Sequence, residues 1–194
     1  LVDVSLPTPA QASSAMLPTV VNQPVREEKR QVTLLFCGVS VWLPPLDDDP
    51  ETVDFEQQES LQRTLSQAFQ EAALQRGGSL IGNLGHQFCV MFGYPKSTEG
   101  DARLAATIAT ELMSLARQRA SDAELCRVGG QLEVRVGLHT GMVVIANHEV
   151  SPGNTLNIAM HIETAAMPGE IRVSESFRQL LRGFAEFDAA GQVR

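Results

Sequence analysis

Cysteine is sparse in this chain. Only Cys37, Cys89 and Cys126 occur, widely spaced, with no CxxC and no zinc-ligand pattern. Cys37 and Cys89 lie inside apolar runs and read as core thiols of a reducing compartment, which places the chain in the cytoplasm. Long hydrophobic runs are missing too. No apolar stretch reaches the ~18 residues that a spanning helix needs. A positive excess is absent: 15 Lys and Arg stand against 23 Asp and Glu, for a net charge of -8. That excludes a nucleic-acid backbone as partner of the surface as a whole. The first residues have no basic region and no continuous apolar core, so they do not read as a signal peptide.

What is present fits one domain with attachments. The hydrophobic fraction of 43% over 194 residues supports a real core. Residues 1–29 are rich in Pro, Ser, Thr, Ala and Gln and read as a linker or N-terminal extension, ending in the charge cluster Arg26–Arg30. Residues 30–194 read as the folded domain. The chain starts at Leu1, and Phe184–Phe187 reads as a strand with no partner after it. Both suggest a piece of a longer polypeptide with its last strands cut off.

Along the domain, Gln31–Val41 is rich in β-branched and aromatic residues and predicts a buried strand ended by Pro44-Pro45. The acidic run Asp47-Asp48-Asp49-Pro50-Glu51 has the chemistry to hold a hard cation but lacks EF-hand spacing, and reads as a solvated loop. Asp49 or Thr52 is expected to cap the helix that follows. Leu61, Leu65, Ala68, Phe69 and Ala72 recur at helical spacing over 54–76, and Gly77-Gly78 stops that helix. Residues 79–81 and 88–92 predict a hairpin around Gly82–Gln87. Ala105, Ile108, Leu112 and Leu115 share one face of a second helix over 101–119, and 121–130 reads as a loop.

The stretch Gln131–Glu163 organises the rest. Leu132, Val134, Val136 and Leu138 alternate with Glu133, Arg135 and Gly137, the period of a half-buried strand. Thr140-Gly141 predicts a tight turn, and Met142–Ala146 a second strand. His139 and His148 fall in that turn and at a strand end, and receive no functional role. After Ser151–Asn154 a helix begins, with Asn154, Asn157 and His161 on one face. Residues 169–173 predict a strand and 175–181 a short helix. The order predicts an α+β fold: a ferredoxin-like βαββαβ sandwich with an elaborated C-terminal half.

This order and these residues resemble the catalytic domain of class III nucleotidyl cyclases, the adenylate and guanylate cyclases. EEKRQVTLLFCGVS resembles the family's first strand, and GGSLIGNLGHQFCVMFGYP its central hairpin. DARLAATIATELMSLA is similar to its next helix. VRVGLHTGMVVIA and GNTLNIAMHIETAAMPGEIRVSE are similar to its most specific part. The EEKRQV start is similar to soluble multidomain bacterial members. The resemblance implies two metal ions held by two Asp residues, which activate a ribose hydroxyl and hold a triphosphate. Here those positions read Gly38 and His86. The adenine-reading Lys and Asp correspond to Gly82 and Asn154, and the transition-state Arg to His161. The Asn one turn before it is kept as Asn157.

The resemblance thus implies a degenerate domain, a pseudocyclase, because losing both carboxylates removes the largest electrostatic contribution. It would serve as a dimerisation or regulatory module beside other domains of a larger bacterial signalling protein. No catalytic position is intact: Gly38, His86 and His161 are all altered. The family's head-to-tail pairing implies a homodimer or a pair with another cyclase-like domain. No cofactor is expected. An alternative is a divergent cyclase making a cyclic nucleotide from ATP or GTP, which would use Mg or Mn. Another is a nucleotide sensor without turnover, with Asn83, His86, Asn154, Asn157 and His161 as candidate lining residues.

Overall fold

The computed structural model describes residues 27–45, 54–146 and 149–188. Two 16-residue strands form its spine. β1 (Glu27–Trp42) and β4 (Gln131–Ala146) pair antiparallel over their whole length, from Glu27 opposite Ala146 to Trp42 opposite Gln131. β3 (Gln87–Phe92) lies on the other side of β1, and β2 (Ser79–Asn83) forms the outer edge, with a bulge between Leu80 and Gly82. β5 (Glu149–Ser151) and β6 (Ile171–Val173) share the far edge of β4, β5 antiparallel and β6 parallel. The order β2-β3-β1-β4 is that of the expected ferredoxin-like sandwich, and β5 and β6 extend it.

Three expectations change here. Thr140-Gly141 is not a turn: β4 runs straight through it, with Thr140 opposite Thr33 and Gly141 opposite Val32. The two threonine hydroxyls hydrogen-bond at 2.9 Å. His139 is accordingly a buried strand residue, not a turn residue. Because β4 continues to Ala146, Glu27–Arg30 gain a partner and join β1 instead of ending a linker. Phe184–Phe187 forms no strand.

Smaller differences concern helix starts. α1 (Phe55–Leu74) is capped by Asp54, whose carboxylate accepts from Gln57 N. The acidic run, with Asp49 and Thr52, lies outside the described residues, as does His148. α2 spans Asp101–Ala120, and the expected loop after it contains a short α3 (Ala123–Arg127) with Leu125 buried. α4 (Gly153–Thr164) and α5 (Glu175–Leu180) lie where periodicity placed them.

The alternation of β1 sorts the core into two layers. Leu35, Cys37, Val39 and Val41 face α1, α2 and α5, where Phe69, Phe88, Ile108, Leu112 and Phe177 are almost fully buried. Val32, Leu34 and Phe36 face the other way, toward Ala159, Leu156 and Met160 of α4. Cys37 and Cys89 are both buried, and burial pushes the Cys89 thiol up to about 12, out of reach of thiolate chemistry. Among the described residues no helix is long and apolar enough to cross a membrane.

Candidate functional site

α4 is amphipathic in an unusual way. Its buried residues are Thr155, Ala159, Ile162 and Glu163, a stripe at i, i+4, i+7 and i+8 that ends in a carboxylate. Beneath that stripe the sheet has glycines. A Cβ at Gly141 would come within 2.8 Å of Thr155. One at Gly137 would come within 2.5 Å of Glu163 N and 2.7 Å of Ala159 O. α4 therefore sits against β4 at backbone contact, a distance only glycine permits. Thr155 Oγ1 donates to Met142 O at 2.5 Å and ties the first turn of the helix to the strand.

The far end of the stripe meets a row of three residues. Gly38 of β1 lies in register with Gln87 of β3 on one side and Arg135 of β4 on the other. The place a Cβ on Gly38 would take is filled by the Glu163 carboxylate. Gln87 Nε2 donates to Glu163 Oε2 at 3.1 Å, and the Thr164 hydroxyl lies 3.5 Å from the same oxygen. Arg135 sends Nη2 to Glu133 at 2.8 Å, while its buried Nε has no hydrogen-bond partner among the described residues. Glu163 is 2% exposed. Burial pushes its carboxyl above the usual carboxylate range, against the opposing pull of Arg135, Thr164, His86 and Gln87.

The candidates read from sequence separate into two groups. Asn83 and His86 are exposed on the hairpin and line an open groove of about 580 Å³ against α1, together with Gln62, Ser66 and Gln70. Asn83 Nδ2 donates to Gln70 Oε1 at 2.8 Å, and its Oδ1 accepts from Gly85 N, so this side chain shapes the turn. His86 O accepts from Val39 N at 2.8 Å, holding the hairpin beside Gly38. Asn154, Asn157 and His161 share the exposed outer face of α4, as their spacing predicts, on the side away from the sheet. Gly82 lies in β2 with open space around its Cα.

Glu163, Gln87 and Arg135 are the residues that sequence reasoning passed over. One signal was available: Glu163 is a charge within the apolar stripe of its helix, and buried charges are rare unless matched by partners.

Two hard divalent cations need several anionic oxygens within one small space. Gly38 offers none, and His86 offers an imidazole nitrogen. The one buried carboxylate in the row already accepts from Gln87 and lies in the field of the Arg135 guanidinium, which repels cations. Among the described residues no three His, Cys, Asp or Glu side chains are grouped to hold a metal. This residue set does not fit a two-metal centre.

Comparison with known proteins places the fold. The chain is 24% identical over 192 residues to a membrane guanylyl cyclase of Dictyostelium discoideum, covering 95% of this chain but only 12% of that protein. The adenylyl cyclase CyaB from P. aeruginosa superposes with a TM-score of 0.72 at 19% identity, over 88% of this chain and 89% of that one. The guanylyl cyclase domain of the RhoGC fusion protein from Blastocladiella emersonii has been solved in a monomeric and a non-canonical dimeric form. The monomeric form gives a TM-score of 0.63 at 18% identity, over 82% of this chain and 88% of that one. The dimeric form gives 0.61 at 17% identity, over 81% and 86%. Residues 25–194 match the family model of the adenylate and guanylate cyclase catalytic domain, and the chain belongs to that family.

Proposed function

We propose that this domain is a catalytically degenerate cyclase, a pseudocyclase that works as a pairing and regulatory module of a larger bacterial signalling protein in the cytoplasm. The observation that carries this reading is the row Gln87–Gly38–Arg135. Where two-metal phosphoryl transfer needs a strand carboxylate, the chain has glycine, and a buried helix carboxylate fills the space. The exposed His161 supports the same reading. An imidazole is shorter than a guanidinium and cannot offer its two parallel donors to a phosphate. Pairing as a homodimer, or head to tail with another cyclase-like domain, follows from membership of the cyclase family. The polar outer face of α4, free of sheet contacts, is the surface we assign to it.

The test is calorimetric titration of ATP and GTP, with Mg²⁺ and with Mn²⁺, on purified protein of measured oligomeric state. The expected result is a dimer with no binding at millimolar nucleotide. Binding without turnover would make the domain a nucleotide sensor. Metal-dependent production of a cyclic nucleotide would overturn the proposal.

A further inference from the structure

We infer that the His139 imidazole is a joint between α5 and the seat of α4, neutral with its proton on Nδ1, through which the placing of α5 reaches the first turn of α4. The inference deepens the proposed function and rests on the reading of the outer face of α4 as the pairing surface. Hydrogen counting assigns the ring. Ser176 Oγ lies 2.7 Å from Thr140 O, 3.0 Å from Ser174 Oγ and 3.4 Å from His139 Nδ1. A serine hydroxyl has one hydrogen, and a carbonyl only accepts, so that hydrogen goes to Thr140 O. Ser174 therefore donates to Ser176, while its own oxygen accepts from Phe177 N at 3.2 Å and caps α5. What is left for His139 is to donate from Nδ1.

The lone pair of the neutral ring is then on Nε2, and that nitrogen stands over Gly141 beside Thr155. A Cβ built on Gly141 would lie 2.8 Å from Nε2 and 2.9 Å from Thr155 Oγ1. The one hydroxyl hydrogen of Thr155 is spent on Met142 O. Two acceptors thus meet above Gly141 with no hydrogen of their own to share, and a proton added to the ring enters on the α4 side. The elements packed against His139 offer that charge no partner. α5 carries Glu175 and Arg178, bonded to each other at 2.6 Å, and β6 carries Arg172, bonded to Glu170. α4 carries His161 and Glu163 at its far end, and β1 presents Leu34 between Val32 and Phe36. Burial alone holds the His139 imidazole below the ordinary histidine value. Its stabilising contribution is complete above that ordinary value and is lost as pH falls through the lowered one.

Nitrogen and carbon NMR shifts of the ring, assigned through bonds to its own backbone in the whole chain, read the tautomer directly. The expected form at neutral pH is Nδ1–H, with titration below the ordinary histidine value. An Nε2–H ring at neutral pH overturns the joint. Amide exchange then tests the coupling. Ser176→Ala removes one hydroxyl from α5. It is expected to move His139 off the Nδ1–H form and to speed exchange several-fold at Thr155–Ile158, with the last turn of α4 unchanged. Ser176→Thr keeps the hydroxyl and is expected to restore both readings. Unchanged exchange in the first turn, or an equal rise along all of α4, overturns the coupling. If Ser176→Ala does not fold, the parent supplies the same test. Protection of the first turn is expected to fall together with the titration of His139, and protection level across that titration overturns the joint. Nucleotide turnover by the parent would sink the proposed function and leave the joint standing. An Nε2–H ring would sink the joint and leave the nucleotide result standing.

Discussion

On one face of the sheet, Phe69, Phe88 and Phe177 interlock with the aliphatic residues of two 20-residue helices. On the other, a 12-residue helix rests on Gly137 and Gly141 and ends in a buried carboxylate beside Gly38. The first face gains its stability from apolar volume removed from water. The second buries a smaller apolar cluster around Leu34, Phe36 and Met91. To that it adds close approach of backbone to backbone and the hydrogen bonds made by Thr155 and Gln87. The larger apolar layer and the candidate site are thus on opposite faces of one sheet. The layer that folds the chain can stay constant while the other changes its chemistry.

Substitutions on the two faces sharpen this contrast. Phe69→Ala, on the volume-filled face, is expected to cost about 3–5 kcal/mol in chemical denaturation, because a rigid surround leaves most of the cavity open. Gly137→Ala adds a single methyl on the other face, yet it is expected to cost about 1–3 kcal/mol, since the atoms it meets are backbone and cannot rotate away. Gly82→Ala is the control: no described residue lies within 4 Å of where its Cβ would be, and the change should stay within roughly ±0.5 kcal/mol. If Gly137→Ala proved as mild as Gly82→Ala, the close seating of α4 would be wrong.

The smallest expected effect is a change of slope with pH. The folded-state pKa of Glu163 is raised above its unfolded value, so the native state holds this proton more tightly. Its stabilising contribution is complete below the ordinary Glu range and is lost as pH rises through the raised value. Glu163→Gln keeps the shape and removes the titration. The variant should therefore flatten the fall in stability above the ordinary Glu range, as read from denaturant midpoints across pH. Parallel pH profiles for the two proteins would place the carboxylate in solvent and break the contrast between the faces.

How legible each face was in the sequence follows from its physics. Volume packing writes a period: Leu61, Leu65 and Phe69 on α1, and Ala105, Ile108 and Leu112 on α2, announced their helices and their buried sides. Close approach writes glycine, and glycine also writes turns. Thr140-Gly141 was therefore read as a reversal when it is a seat for Thr155 within a straight strand. Tertiary contact with α4, invisible locally, decides between the two meanings. The outer face of α4 was legible because Asn154, Asn157 and His161 keep helical spacing. Glu163 was not, because its partners Gln87 and Arg135 come from distant strands. The strand read at 184–187 failed for a related reason: a short apolar run becomes a strand only where a tertiary partner pairs with it, and none does here among the described residues.

The edges of this sheet have a consequence for assembly. One side ends in a five-residue strand broken by a bulge, and the other in two three-residue strands that share β4. Among the described residues these outermost strands are too short to offer a long, flat row of free amides and carbonyls on which another chain could add a strand. Short, bulged edge strands steer copies of this domain away from edge-to-edge aggregation there, and leave helix faces and side chains as the broader surfaces for association.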